Sequence, residues 1–427
     1  MRDPVVLVVG AGLAGLSAAA ELARAGLRVL VIDQAAAPGG AIHRQPLPGV
    51  ASVAPRAQAR RWAAVMAGVR DQGDRITLRC STRFGGIDHT GAVLLTGAAS
   101  VLIRPQALVL ATGARERVQP RPGWTLPGVM TAGAIQTQIK MLAEAPPGQT
   151  LLAGSGPLLL AVGAELTRLG RPPIAIIEAA HPFAHPLAAV RLPLAYLHEA
   201  AGYLARLKAA RVPVLTRAYL TRITAIDDRL TADVDTPRGV RTFTADRIGL
   251  HDGIASNDIG LTDSAAVPIL RLGDCREPLG AAAALADGRH GGAALAAQLT
   301  GQPAPKPSAV LERQRAAQAV LARIYAQDGA ARLRDLPADT VLCRCENRTF
   351  GDLRALGPAP TARALRLDGR FAMGACQGRF CAEWVGRLVA PDHTAPPPSR
   401  IGAARWPTRP IAVADLLAAE IIPEGKA

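Results

Sequence analysis

The stretch PVVLVVGAGLAGLSAAAELARAGLRVLVID, residues 4–33, decides the fold. An unbroken apolar run suited to a buried strand leads into Gly10-x-Gly12-x-x-Gly15, then an alanine-rich helix, then a second apolar strand closed by Asp33. Strand, glycine turn, helix and strand in that order make a βαβ unit. Gly10 permits the tight turn, Gly12 lets a pyrophosphate approach the backbone, and Gly15 lets the helix pack on the sheet. The helix amino terminus favours the phosphates, and Asp33 lies where a carboxylate can accept from a ribose hydroxyl. A dinucleotide is the expected ligand.

A second such unit follows in TLLAGSGPLLLAVGAELTRLGRPPIAIIE (150–178), where Gly154 and Gly156 begin the turn and Glu178 ends the second strand. Leu159 stands where the third glycine would be, so the helix is expected farther from its sheet. The alternating runs VPVLT, TRITAID, LTADVD and VRTFTADRIGL between 212 and 250 supply further strands. NAD(P)H binding is left open at this second fold, where the third glycine is missing and, by the flavoprotein resemblance given below, the segment from Arg247 to Gly273 is short.

The rest of the chain sets boundaries. At 427 residues more than one domain is expected. No apolar run reaches the roughly 18 residues that would cross a bilayer. The opening MRDPVVLVVG lacks the pattern of a secretory signal, so a soluble protein of the reducing cytoplasm is expected. The formal charge of +15 raises nucleic acid as a partner, yet the basic residues are scattered, the lysines are Lys140, Lys208, Lys306 and Lys426 alone, and aromatics make up 3% of the chain. That is poor material for base stacking, and no nucleic-acid partner is expected.

Two stretches, VLCRCENRTF (341–350) and GACQGRFCAEW (374–384), pair four of the six cysteines as Cys343-x-Cys345 and Cys376-x4-Cys381. Short helices are expected through FGDLRAL and EWVGRLVA, which puts Cys376 in a loop and Cys381 at a helix start, where amides around Gly378 favour an anionic centre. Four thiolates suit tetrahedral zinc or an iron–sulfur cluster; a Cys-x-Cys half is unusual for zinc, and [2Fe–2S] is the preferred reading. Cys80 and Cys275 are expected as small buried hydrophobes. LERQRAAQAVLARIYAQ (311–327), after the connector GQPAPKPSAV, is spaced as a helix resting on the body. The histidines at 43, 89, 181, 185, 198, 251, 290 and 393 form no metal-spaced set, and surface or loop positions are expected for most.

Several stretches resemble flavoproteins with two dinucleotide-binding domains, the disulfide-reductase superfamily. They are PGGAIHRQP (38–46) with Gly39 and Gly40, the strand ALVLATGARE (107–116) ending in Ala111-Thr112-Gly113, and RLGDCREPLGAAAALADGRHGG (271–292) with Gly273 and Asp274. The resemblance implies FAD at the first fold, assigns Asp274 to the flavin's ribitol, and places His43 where it could approach the flavin ring. No Cys-x-x-Cys lies near the second fold, so the redox dithiol of thioredoxin reductases is not expected.

Taken in order, GAGLAGLSAAAELARAGLRVLVID, PGGAIHRQP, ATGARERVQPRPGWTLPGVMTAGA, VLCRCENRTFGDL and MGACQGRFC resemble the FAD/[2Fe–2S] α-type subunits of bacterial multi-subunit amino-acid dehydrogenases. That family includes opine oxidase, hydroxyproline and proline dehydrogenases and hydrogen cyanide synthase. The last part also resembles the small α-helical [2Fe–2S] domain of bacterioferritin-associated ferredoxin, though here with Cys-x4-Cys in place of Cys-x-x-Cys. The resemblance implies an α/β, Rossmann-like architecture. A discontinuous FAD domain takes 1–145 and 266–300, and a second NAD(P)-binding-like domain takes 146–265. A linker and helix follow over 301–334, then a cluster domain over 335–392 and a tail over 393–427. FAD is assigned to Gly10, Gly12, Gly15, Asp33 and Asp274, and the cluster to Cys343, Cys345, Cys376 and Cys381.

A catalytic flavoprotein β-type subunit is the implied partner. A small ferredoxin-like subunit is a further candidate, and the inner-membrane surface is an alternative location. No residue is assigned as general acid or base, because no such constellation is evident. Two other functions stay open: a self-sufficient NAD(P)H-dependent reductase feeding an external acceptor, and a non-catalytic scaffold with structural zinc.

Overall fold

The computed structural model describes residues 5–258, 260–261, 263–264, 266–327, 332–333, 335–390, 401 and 406–421. The chain divides into two compact units, one of residues 1–115, 255–315 and 403–427, the other of residues 116–254 and 316–402. Part of the tail expected over 393–427, including His393, lies outside the described residues.

The first unit is built on the stretch quoted above. Val5–Val9 is central to a parallel sheet ordered Ile269–Arg271, Ala107–Leu110, Val5–Val9, Arg28–Ile32, Ile76–Arg79. Its register pairs Val9 with both Ile32 and Leu110, so the strand ends carrying Gly10, Asp33 and Ala111 come level at one edge. Continuous apolar runs follow from burial on both faces. The helix Leu13–Arg24 is buried along nearly all its length, because it is sandwiched between this sheet and the helix Ala281–Thr300. A Cβ on Gly292 would come within 2.6 Å of the Ala18 Cα, and one on Gly288 would meet the Ala14 backbone. The ADGRHGG run and the alanines at 14 and 18 are thus two sides of one close helix contact. A smaller sheet of Arg83–Ile87, Val93–Thr96 and Val101–Ile103, joined in parallel by Glu420–Ile421, completes the unit.

The second unit repeats the plan. Its parallel sheet runs Val214–Thr216, Ala175–Glu178, Thr150–Gly154, Arg247–His251, Val129–Thr131, beside an antiparallel sheet of Tyr219–Ile226, Arg229–Thr236 and Gly239–Ala245. Leu159, in the third-glycine position, is fully buried on the helix Pro157–Arg168. Because Val129–Thr131 pairs with Arg247–His251, residues from Glu116 onward pack with this unit.

The cysteine-bearing residues belong to it as well. They form a hairpin, Val341–Cys343 with Arg348–Thr349, followed by the short helices Phe350–Ala355, Ala362–Leu367 and Ala382–Val389, around a core containing Leu342, Phe350, Phe371 and Val385. Among the described residues no helix is long and apolar enough to cross a membrane.

Candidate functional site

At the first glycine turn the backbone does most of the work. Gly10 has φ +109°, its N–H donates to the Ile32 carbonyl at 2.8 Å, and a Cβ there would run into the Ala111 carbonyl. The Gly39-Gly40 loop is tied back to the turn, since Gly39 N donates to the Ala11 carbonyl at 2.8 Å and a Cβ on Gly40 would stand 3.2 Å from the Gly12 Cα. Gly12 caps the helix Leu13–Arg24 with no side-chain hydrogen bond. The turn is therefore a cradle of bare backbone at a helix amino terminus, which suits a pyrophosphate. Asp33 holds the turn directly, accepting from Ala11 N and Ala35 N, each at 2.8 Å. A carboxylate has lone pairs beyond these two bonds with which to accept from a sugar hydroxyl.

Around the same unit, the Thr112 hydroxyl donates to the Asn257 carbonyl at 2.8 Å and meets the Cys275 sulfur at 3.0 Å. Gly113 has φ +73°. Asp274 accepts from the N–H groups of Leu279 and Gly280, both at 3.0 Å, at the start of the helix Ala281–Thr300. Burial pushes its carboxyl above the ordinary range, against the pull of those two bonds. The residue that fixes this corner is Asp287, which accepts from Gly273 N at 2.6 Å and pairs with Arg276 at 2.5 Å. The sequence carries only a weak signal for Asp287, an acid within an alanine- and glycine-rich helix that also holds Arg289 and His290. His43 is buried and stacked on Trp62, ring centroids 5.5 Å apart, a packing role. Cys275 is buried as expected, whereas Cys80 is only half-buried.

The second turn mirrors the first with different side chains. Gly154 and Gly156 have φ +140° and +130°. Glu178 takes the place of Asp33, accepting from Gly156 N at 3.0 Å and Ala180 N at 2.9 Å. Burial raises its carboxyl, while bonds from Ser155, Gly156 and Ala180 and the nearby His251 oppose the rise. Where the first unit has Ala111-Thr112-Gly113, the second has His251-Asp252-Gly253. Contrary to the surface role expected of most histidines, His251 is buried, and its Nδ1 lies 2.9 Å from Glu116 Oε1. Asp252 is buried against Arg121, with Nη2 to Oδ2 at 2.5 Å, and accepts from Gln119 N at 2.7 Å. Burial works against the Arg121 charge, but Asp252 and Tyr219 outweigh it and hold the guanidinium above its usual range.

The stretch 116–124 also fastens the cysteine-bearing module. Arg117 pairs with Glu383, its guanidinium lies over the Trp384 ring at 5.4 Å, and Trp124 Nε1 donates to the Val341 carbonyl at 2.7 Å. Glu383 is buried two residues past Cys381, and Val341 lies two before Cys343, so both cysteine segments are gripped by one strip of chain.

The four cysteines come together as two contacting pairs, Cys343 with Cys381 and Cys345 with Cys376. Contact with Cys381 brings the Cys343 thiol down to about 6, with amides of Glu346, Ala372 and Cys345 adding to the effect, and Cys381 rises in exchange. Cys381 caps the helix Ala382–Val389 and Cys376 lies in the loop before it, with Gly378 at φ +87°. Among the described residues no set of three or more His, Cys, Asp or Glu is arranged to hold a metal ion. Four sulfurs with backbone amides directed at three of them are a donor set that suits either tetrahedral zinc or an iron–sulfur cluster.

The segment after the first pair is secured by a capping box. Asp352 N donates to Thr349 Oγ1 at 3.2 Å, and Thr349 N donates to Asp352 Oδ2 at 2.8 Å. Thr349→Ala is expected to cost about 1 kcal/mol, read as a lowered unfolding midpoint of this module. Serine at the same place should retain most of it.

A family model described as pyridine nucleotide-disulphide oxidoreductase matches residues 4–275. Hydrogen cyanide synthase subunit HcnB of Pseudomonas aeruginosa is 32% identical over 424 residues, covering 88% of this chain and 90% of that protein. The A subunit of opine oxidase from Agrobacterium tumefaciens is 30% identical over 464 residues, covering 96% and 91%. Among solved structures, L-proline dehydrogenase from P. horikoshii superposes with a TM-score of 0.61 at 15% identity, over 97% of this chain and 79% of that one, a likeness of fold.

Proposed function

Because this chain belongs to the pyridine nucleotide-disulphide oxidoreductase family, in the company of HcnB and the opine oxidase relative, we propose that it is the FAD-dependent, electron-transferring subunit of a heteromeric amino- or imino-acid dehydrogenase. FAD would be held by the bare backbone at Gly10, Gly12 and Gly15, by the Gly39-Gly40 loop, by Asp33, by the Ala111–Gly113 turn, and by Gly273 and Asp274. A [2Fe–2S] cluster would be held by Cys343, Cys345, Cys376 and Cys381. Together these groups would supply two-electron and one-electron redox chemistry in one polypeptide.

The observation that carries this reading is the grip of Arg117 and Trp124 on both cysteine segments. A module fastened by a buried acid and an indole N–H is built into the second unit, not appended to it. The first glycine turn presents backbone and the Asp33 carboxylate with no acid–base pair beside it, which supports a separate catalytic flavoprotein subunit for removing a proton from an amine. A small ferredoxin-like subunit is another candidate partner. The relatives named above are themselves called subunits. A cytoplasmic location, with or without contact at the inner membrane, belongs to the same reading.

The test is an anaerobic preparation assayed for FAD, iron, acid-labile sulfide, zinc and co-purifying polypeptides. The expected result is about one FAD, two irons and two sulfides per chain. Cys381→Ser is expected to lose the iron while keeping the flavin. Zinc without iron or sulfide would replace the cluster reading with a structural zinc site, and a colourless protein would remove the redox function altogether. The second glycine turn keeps a self-sufficient NAD(P)H reductase in view; rapid flavin bleaching by NADH in the isolated chain would favour it.

A further inference from the structure

The second glycine turn has both a cleft and contents supplied by the chain itself. Glu178 and Thr216, paired at the ends of neighbouring parallel strands, line the cleft together with Leu160 of the glycine-turn helix and Phe183. In a strand–turn–helix–strand fold this is the adenosine place of a dinucleotide: the acid ending the second strand meets the ribose, and adjoining apolar side chains cover the base. Tyr325, immediately after the helix Ala309–Ile324, lines this cleft. Its carbonyl accepts from Ser155 Oγ at 3.2 Å, and Ser155 is the residue between Gly154 and Gly156. Burial, helped by the nearby Glu178 charge, pushes the phenol up to about 12. The space left beside it takes about one water molecule.

The pyrophosphate end is filled too. The Nε2 and Cδ2 atoms of His251 lie 3.3 Å from where a Gly156 Cβ would stand, so the imidazole covers the glycine that in such folds meets the phosphates. The corresponding residue of the first unit is Ala111, whose methyl leaves the turn bare.

We infer that the second nucleotide fold is a latent adenosine site closed by the chain's own Tyr325, with His251 covering the adjoining phosphate position. A phenol ring is a fitting substitute for a purine: flat, apolar on its faces and polar at its edge. The closure removes the exchange of a free pyridine nucleotide at this fold, and it stands on residues of the second unit alone, independent of flavin or metal content.

The test uses the full holoprotein and equilibrium dialysis with radiolabelled adenosine and NADH, which reads binding without reference to flavin colour. Wild type and Tyr325→Phe are expected to bind neither below about millimolar concentration, while Tyr325→Ala gains adenosine binding by about tenfold or more. Tyr325→Val, a milder truncation, carries the same expectation with a smaller gain should the alanine variant fail to fold. Micromolar binding of adenosine or NADH by wild type would overturn the inference without any variant. So would a truncated variant with the wild-type unfolding midpoint that binds adenosine no better than wild type.

Discussion

Gly10→Ala is expected to strip the protein of its flavin. The residue sits at φ +109°, a conformation that L side chains rarely adopt, and the added methyl would be driven into the Ala111 carbonyl. Neither strand can yield, because Val9 is in register with Ile32 on one side and Leu110 on the other, in the buried middle of the sheet. A strained residue costs about 1–3 kcal/mol, and displacing the backbone of Ala111 adds to that at the place where the pyrophosphate must approach. Retention of FAD should fall at least about 100-fold, read as the ratio of flavin to protein absorbance after gel filtration. Gly202→Ala is the control: that glycine lies in the helix Leu194–Ala209 with nothing within 4 Å of an added Cβ, and alanine there should gain about 0.5–1 kcal/mol. A Gly10→Ala protein that keeps its flavin would show that this turn is not where FAD is held.

The second large effect concerns the ion pair of Arg121, in the same stretch of chain that anchors the cysteine module. Arg121 and Asp252 are both buried, with Arg121 also lying over the Tyr219 ring at 5.2 Å. Arg121 Nη1 and Asp252 Oδ1 find no hydrogen-bond partner among the described residues, so each charge depends heavily on the other. Asp252→Ala leaves a guanidinium without its counter-charge in an apolar surround and is expected to destabilise the second unit by about 3–5 kcal/mol. Replacing both residues together, Arg121→Met with Asp252→Leu, should recover most of that loss, because two buried charges and their desolvation disappear at once. Denaturant unfolding of the single and double variants decides it. An Asp252→Ala protein as stable as wild type would mean that the pair contributes nothing to this fold.

Much of the architecture was legible because it is written in local periodicity. The two βαβ units, the strands expected between 212 and 250 and the helices after each cysteine pair appear where apolar spacing and turn residues place them, while the helix expected over 311–327 runs over Ala309–Ile324 and stops before Tyr325. Cys381 stands at a helix start and Cys376 in a loop for the same reason: five residues do not fit one helical face. What stayed hidden was pairwise. Arg117 meets Glu383 across 266 residues and Trp124 meets Val341 across 217, and no window of sequence contains both partners. ATGARERVQPRPGWTLPGVMTAGA served as a family signature, yet only the folded chain shows that its arginines and tryptophan hold the cysteine module and the buried aspartate.

Local chain chemistry was enough to write the two glycine turns, their strands and helices, and the two cysteine pairs, since backbone conformation and amphipathic spacing are set by neighbours within a few positions. What surrounds each turn was settled only by folding. The first is bare backbone because Ala111 lies beside Gly10, and the second is covered because His251 and Tyr325 arrive from distant parts of the chain. Desolvation and packing, which depend on neighbours in space, separate two motifs that read almost alike as strings of residues.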